Sequence, residues 1–154
     1  MKKIIMLLIF GLVVSCGFAQ KIKESEVPAV VKAAFVKAYP KVKDVKWDKE
    51  DGAYEASFDL NKADASVLFS ADGTIKEVET EIEHNQLPAA VKNALAKEYS
   101  DYKVEEAAKI VVGGVTTYET EVKKGKQTFD FIFDATGKLL KKVETSKKKE
   151  EEKD

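Results

Sequence analysis

Residues 27–39, VPAVVKAAFVKAY, return at residues 87–99 as LPAAVKNALAKEY. Seven of the thirteen positions are identical at this offset of 60 residues. Self-similarity over such a period predicts that one supersecondary unit has been duplicated in tandem. A unit of about 60 residues buries too little of its surface to be stable alone, so the two copies are expected to share one sheet.

The duplication continues beyond these segments at a larger offset. Residues 54–55 match 118–119, and FSADG at 69–73 matches FDATG at 133–137, both at an offset of 64. The second copy therefore contains four extra residues, and the glycine pair at 113–114 is the simplest place for them.

Each copy is predicted to open with a helix. Pro28 and Pro88 suit the first helical position, where a backbone N–H is not needed. Apolar residues then recur at spacings of three and four, and Pro40 ends the first helix. The predicted stripes are Val27, Val30, Val31, Ala34, Phe35 and Ala38 in the first copy, and Leu87, Ala90, Val91, Ala94, Leu95 and Tyr99 in the second.

After each helix the apolar residues alternate with polar ones, which is typical of a strand with one buried and one wet face. Glycine-containing turns separate these segments, so we count one helix and about four strands per copy. The sequence predicts an α+β fold of two tandem α-β4 repeats, with one antiparallel eight-stranded sheet and both helices on one face. The opposite face is expected to stay open to water and to carry Glu55, Ser57, Asp59, Ser66, Leu68, Glu119, Glu121, Asp130 and Ile132.

The order of the motifs resembles a known family. The tandem pattern (V/L)-P-A-x-V-K-x-A, an aromatic-rich hairpin and F-x-A-x-G are similar to the PepSY-like bacterial periplasmic proteins, also described as β-lactamase-inhibitor-like. The resemblance covers about residues 25–145 and implies two α-β4 repeats in one curved sheet. In the related inhibitors the concave sheet face grips a partner enzyme. This sequence lacks the two disulfides of those inhibitors, so the resemblance does not imply the same target.

The first residues are predicted to direct export. Lys2 and Lys3 precede an apolar run over residues 4–14, which is too short to cross a bilayer of about 30 Å. Small residues at 17 and 19 favour a signal peptide over residues 1–19, cleaved before Gln20. The alternative is a lipobox at residues 13–16, in which Cys16 would be acylated and anchor the protein to a membrane.

The composition argues against several classes of function. The chain of 154 residues has 26 basic residues, all lysine, so the forked guanidinium that nucleic-acid sites favour is missing. One Cys and one His leave little scope for a zinc site or a catalytic triad, and no phosphate-binding glycine loop is present. We therefore expect no catalytic, cofactor or metal site, no nucleic-acid partner and no transmembrane segment in the mature chain. The charged residues 146–154 are expected to be a disordered tail.

Four other features of the sequence have structural interpretations. His84 is interpreted as a solvated residue of a linker, and Trp47 as a core residue. The acids at 48–51 are interpreted as a solvated turn, because lysines interrupt any calcium loop. The row formed by Glu77, Glu79, Glu81 and Glu83 is interpreted as a charge device on an edge strand, with a docking strip for a basic partner as the alternative.

Together these observations favour a non-enzymatic periplasmic or secreted module that binds a protein or peptide. Inhibition of a peptidase or another envelope hydrolase is the sharpest form of this hypothesis and rests on the family resemblance. The alternatives are a lipid-anchored accessory or structural envelope protein, and an enzyme or small-ligand carrier. The expected contact residues on the open sheet face are Glu55, Ser57, Leu68, Glu119, Glu121 and Ile132.

Overall fold

The computed structural model describes residues 20–145. The predicted signal peptide, Cys16 and the charged tail lie outside the described residues. The chain divides between Lys76 and Glu77 into two compact units.

The first unit holds four strands and one helix. After β1 (Gln20–Ile22), a single 3-10 turn precedes α1 (Ala29–Ala38). Three antiparallel strands follow, joined by tight turns: β2 (Val45–Glu50), β3 (Ala53–Leu60) and β4 (Ala63–Phe69).

The second unit repeats this order. Strand β5 (Ile75–Glu81) leads through a 3-10 turn at His84–Gln86 into α2 (Ala89–Glu98). The remaining strands, again antiparallel, are β6 (Lys103–Val112), β7 (Val115–Lys124), β8 (Gln127–Asp134) and β9 (Leu139–Glu144).

The α+β class and the two helices are confirmed, but the strand count is wrong by one. The sheet has nine strands in the order β1 to β9, not eight. The additional strand is β1, whose three residues pair with Lys49, Asp48 and Trp47 of β2. Such a short segment with one apolar residue has no periodicity to reveal it, and only its partner strand defines it.

The helix predictions hold within one or two residues. Pro28 and Pro88 cap α1 and α2 immediately before the first helical residue. Val31 and Phe35 of the predicted first stripe are buried, but Val30 is half exposed. It lies over the 70–74 turn rather than over the strands, because its backbone carbonyl is directly against Gly73.

An aromatic cluster holds α1 on the first unit's strands. The Phe35 ring lies 5.5 Å from Trp47 of β2 and 5.1 Å from Phe58 of β3, both edge-on. Edge-to-face pairs at this separation are favourable beyond the area they bury. Trp47 is buried, which confirms its interpretation as a core residue.

The second unit fills the equivalent core differently. Leu95 and Ala107 stand at the positions of Phe35 and Trp47, so two large rings are replaced by smaller side chains. Tyr102 compensates from the helix–strand connection, with its ring 5.1 Å from Phe131. The Lys142 ammonium donates to the Tyr102 hydroxyl at 2.8 Å and lies 4.5 Å from the Phe129 ring centre.

The four-residue insertion lengthens one hairpin. Trp47 pairs with Ala56 in the first unit, nine residues along the chain, whereas Ala107 pairs with Thr120 in the second, thirteen residues along. The extra residues extend β6 and β7 and place the glycine pair 113–114 at the turn, as the offsets predicted.

Candidate functional site

Each helix covers one face of its own unit's strands. In the first unit α1 packs on the face that carries Trp47, Phe58 and Phe69. Residues alternate between faces along a strand, so the face away from α1 carries Glu55 directly opposite Leu68, and Ser57 directly opposite Ser66. We call this surface the α1-free face.

The second unit has an equivalent surface. Helix α2 contributes Val91 and Leu95 to a core with Val122, Phe129 and Phe131, so the alternate residues of β7 and β8 point away from the helix. We call that surface the α2-free face. Its central residues, in cross-strand pairs, are Glu119 with Ile132, Glu121 with Asp130, Glu119 with Ala108, Glu121 with Glu106, Ile110 with Glu79, Ala108 with Glu81, and Val112 with Glu77.

The register brings the expected contact residues together within each unit. Glu55 and Leu68 are neighbours, and Glu119 and Ile132 are neighbours at the duplicated positions 64 residues later. Both units therefore have an acid next to a branched aliphatic side chain at the same place on the helix-free face.

The expectation that these faces are open to water is wrong for five of the nine residues assigned to them. The buried residues are Ser66, Leu68, Glu119, Asp130 and Ile132, whereas Glu55, Ser57 and Glu121 are half-buried and Asp59 is exposed. Alternation of residue types assigns a side chain to a face, but it does not report how far the cross-strand neighbours cover it.

The acidic row on β5 also differs from its interpretation as an edge device. Strand β5 hydrogen-bonds to β6, and the edge strands are β1 and β9. Glu77 and Glu79 are each 6% exposed, so they lie within a packed surface. Glu83 is not part of the row, because it caps the 3-10 turn with its N–H donating to Gln86.

Glu119 is at the electrostatic centre of this face. Burial is the largest cause that raises its pKa to about 9, and the charges of Glu79, Asp130, Glu77 and Glu121 contribute in that order of importance. These five residues form what we call the acidic cluster. Burial also raises the pKa of Glu77. At neutral pH Glu119 is therefore protonated in the native protein.

Within residues 20–145, Oε1 of Glu77 and Oε2 of Glu119 have no hydrogen-bond partner. Burying an oxygen without a hydrogen-bond partner costs free energy, and a ligand that donates a hydrogen bond to that oxygen removes the cost. Within residues 20–145, however, no group of three or more His, Cys, Asp or Glu is placed to hold a metal ion.

Sequence reasoning missed two residues of this surface. Glu106 extends the acids onto β6, but a bulge between Val104 and Glu106 shifts the alternation that would have placed it. Ala108 lies between Glu81 and Glu119 in one cross-strand row, where its side chain is much shorter than those of the two acids.

A separate groove of ≈ 360 Å³ lies beside α2. Its apolar lining includes Leu87, Leu95 and Val104, and its polar lining residues are His84, Lys92, Ser100 and Tyr102. The Lys92 ammonium already donates to the Asn85 carbonyl at 3.0 Å, and His84 is exposed as expected.

No helix in the described part of the chain is long and apolar enough to cross a membrane.

A family model described as "Putative beta-lactamase-inhibitor-like, PepSY-like" matches residues 15–76 and 52–141. The chain belongs to this PepSY-like family. The two overlapping matches follow the duplication, and together they include both helix-free faces. A comparison with curated proteins finds no match.

Solved structures from Bacteroides share the fold. One from Bacteroides eggerthii, described among "putative periplasmic proteins", is 25% identical with a TM-score of 0.75, over 79% of this chain and 91% of that one. A DUF2874 family protein from Bacteroides uniformis is 27% identical with a TM-score of 0.73, over 77% and 90%. A BLIP-like protein from Bacteroides fragilis is 25% identical with a TM-score of 0.68, over 77% and 87%.

Proposed function

We propose that this PepSY-like protein is a non-enzymatic module of the bacterial cell envelope that binds a protein or peptide through its helix-free sheet faces. The observation that carries the proposal is the duplicated pair of an acid and an aliphatic residue, Glu55 with Leu68 and Glu119 with Ile132. Mixed acidic and apolar surfaces on regular strands suit protein recognition better than small-molecule capture.

Inhibition of a peptidase or another envelope hydrolase is the specific form of this proposal. Its support is the family's inhibitor-like description and the likeness to a BLIP-like protein. Fold likeness does not name a target, so the proposal extends to the class of partner and not to β-lactamase itself. The envelope location is supported by the description of the Bacteroides eggerthii structure and by the predicted export signal.

Position-specific cross-linking tests this proposal. A photoreactive amino acid is placed at Ser57 or at Glu121, both intermediate in exposure on the helix-free faces, and at Val36 on the exposed side of α1 as the matched control. We expect a discrete cross-linked protein at positions 57 and 121 that excess unlabelled chain competes away, and none at 36. Equal capture at all three positions, or none at 57 and 121, would remove the proposal.

A further inference from the structure

The two units differ most on their helix-free faces. The α1-free face carries Ser57 opposite Ser66, whereas the duplicated positions of the α2-free face carry Glu121 opposite Asp130. The first unit shows that this fold accepts small neutral residues at both positions. Like charges directly opposite each other destabilise a sheet, so the second unit keeps its acids at a cost in stability.

That cost is increased by burial. Asp130 is 1% exposed and Glu119 is 7% exposed. Oε2 of Glu119 and Oε1 of Glu77 have no hydrogen-bond partner within residues 20–145. Two buried carboxyl oxygens without a hydrogen-bond partner on one sheet face are groups that a bound donor would satisfy.

The charges around Glu119 come from every neighbouring strand. Glu77 and Glu79 face it from β5, Glu106 lies on β6, Glu121 shares β7, and Asp130 faces it from β8. The lysines on the same face are Lys103 on β6, Lys123 on β7 and Lys141 on β9, and all three are exposed. Lys103 and Lys123 already pair with Glu105, so the acids around the protonated Glu119 outnumber the lysines beside them.

We propose that the α2-free face binds a cationic peptide segment of the partner, with a lysine or arginine side chain received between Glu81, Glu119 and Glu121 above Ala108. This inference rests on the proposed function and names the chemistry of the partner at one of its faces. Ala108 has the shortest side chain in this row, and the half-buried Glu81, Glu106 and Glu121 lie around it in the register of β5, β6 and β7. A divalent metal is the less suitable occupant, because the described acids do not form a metal-binding group.

Binding a cation at this place has a chemical consequence. Glu119 is protonated at neutral pH, and a nearby positive charge favours its ionised form. The cation therefore displaces the Glu119 proton into solution, and no other bond is made or broken. Affinity should rise as the pH approaches about 9, where free Glu119 loses its proton without help.

The test uses the full chain and a blocked pentalysine peptide, with CaCl2 alone as a second probe, in calorimetry at low ionic strength. We expect saturable pentalysine binding that is weaker in higher salt. Glu121→Ser with Asp130→Ser, which restores the serines of the first unit, should weaken binding about tenfold. Glu98→Gln, which removes an exposed acid on α2 outside both helix-free faces, is the control and should leave it unchanged.

Glu119→Gln provides a second variant that preserves shape and neutral charge in the free protein. We expect it to abolish the proton release and to flatten the pH dependence of pentalysine affinity. No pentalysine binding, equal weakening by Glu98→Gln, or binding of Ca²⁺ in its place would overturn the inference. If cross-linking at position 121 persists in such a case, the proposed function survives and only the cationic chemistry fails.

Discussion

Gly137 packs directly against the backbone of Ala90, where a Cβ atom on the glycine would lie 2.5 Å from the Ala90 carbonyl oxygen. Gly73 stands in the same relationship to Val30 in the first unit, at 3.0 Å. Both glycines have φ of +84°, which side chains rarely adopt. The F-x-A-x-G motif thus holds a turn against the first residues of each helix.

The difference between these contacts predicts unequal costs of substitution. Gly137→Ala should lower the free energy of unfolding by about 2 kcal/mol more than Gly52→Ala, because it adds a collision with backbone to the same strain. Gly52 is the matched control, with φ of +79° and open space around its Cβ position. Urea denaturation measures both, and equal losses would contradict the packing argument.

The turn that ends at each of these glycines contains a hydrogen bond from a hydroxyl group to an aspartate side chain two residues away. The hydroxyl residue comes first in one unit and the aspartate comes first in the other. Ser70 donates to Asp72 at 2.5 Å in the first unit, and Thr136 donates to Asp134 at 2.6 Å in the second. The hydrogen bond from Ser70, with one from the Thr74 N–H, lowers the pKa of Asp72 to about 2.

Asp72 therefore stabilises the native state above pH 3.8, and this contribution is lost as the pH falls towards 2. Ser70→Ala should move the pKa of Asp72 back towards its ordinary value, because the largest cause of the shift is removed. Carbon-detected NMR titration of the Asp72 carboxyl group checks this, and an unchanged midpoint would contradict it.

The contribution of Glu119 to the free energy of unfolding depends on pH in the opposite direction. Its pKa is about 9 in the native protein, against an ordinary value of 4.5 for a glutamate in an unfolded chain. Between these values the folded chain holds a proton that the unfolded chain has released. The stabilising contribution is complete below pH 4.5 and is lost as the pH rises, at up to about 1.4 kcal/mol per pH unit.

We expect Glu119→Gln to reduce this slope and to raise the free energy of unfolding at pH 8. Glu55→Gln, at the duplicated position, should retain the slope of the unaltered protein. Urea denaturation between pH 5 and 8 measures the three proteins. A slope that survives in Glu119→Gln would show that Glu119 is not the group that titrates.

Lys142 is expected to stabilise the second unit through its contacts with three aromatic rings. Its ammonium lies 4.5–5.2 Å from the ring centres of Phe129, Tyr102 and Phe131. Lys142→Ala should lower the free energy of unfolding by about 1 kcal/mol through lost cation–π contact and packing. Lys141→Ala, one residue earlier on the other face, should cost clearly less, and equal losses would contradict the assignment.

The N-terminal processing stays a prediction that mass spectrometry decides. Intact mass of the protein from its native envelope distinguishes a chain that starts at Gln20 from one that starts at an acylated Cys16. The first result supports a soluble periplasmic or secreted protein. The second makes the chain a membrane-anchored lipoprotein.

The sequence predicted local features well because local patterns determine them. The spacing of Val31 and Phe35 located α1, and the change in repeat offset located the longer β6–β7 hairpin. The position of a strand within the sheet is a long-range property, so the interior position of β5 was missed. The three residues of β1 carried no pattern at all.

The sequence predicted which residues share the helix-free face of the second unit, but not their burial or protonation. Alternation placed Glu119, Glu121 and Ile132 on one face, as the register confirms. It could not show that Glu119 is buried beside Glu79 of a strand forty residues earlier, because that contact depends on tertiary pairing. The unusual protonation of Glu119 follows from that contact and not from any local motif.

The most direct test of the central claim is the affinity of the partner captured at position 121 for the unaltered chain and for two charge reversals. With the partner purified, Glu121→Lys should weaken binding by tenfold or more, since it places a like charge on the surface that the partner's cationic segment would contact. Lys37→Glu on α1, with circular dichroism confirming both folds, should bind like the unaltered chain. Equal affinity of all three proteins would contradict binding through the helix-free face.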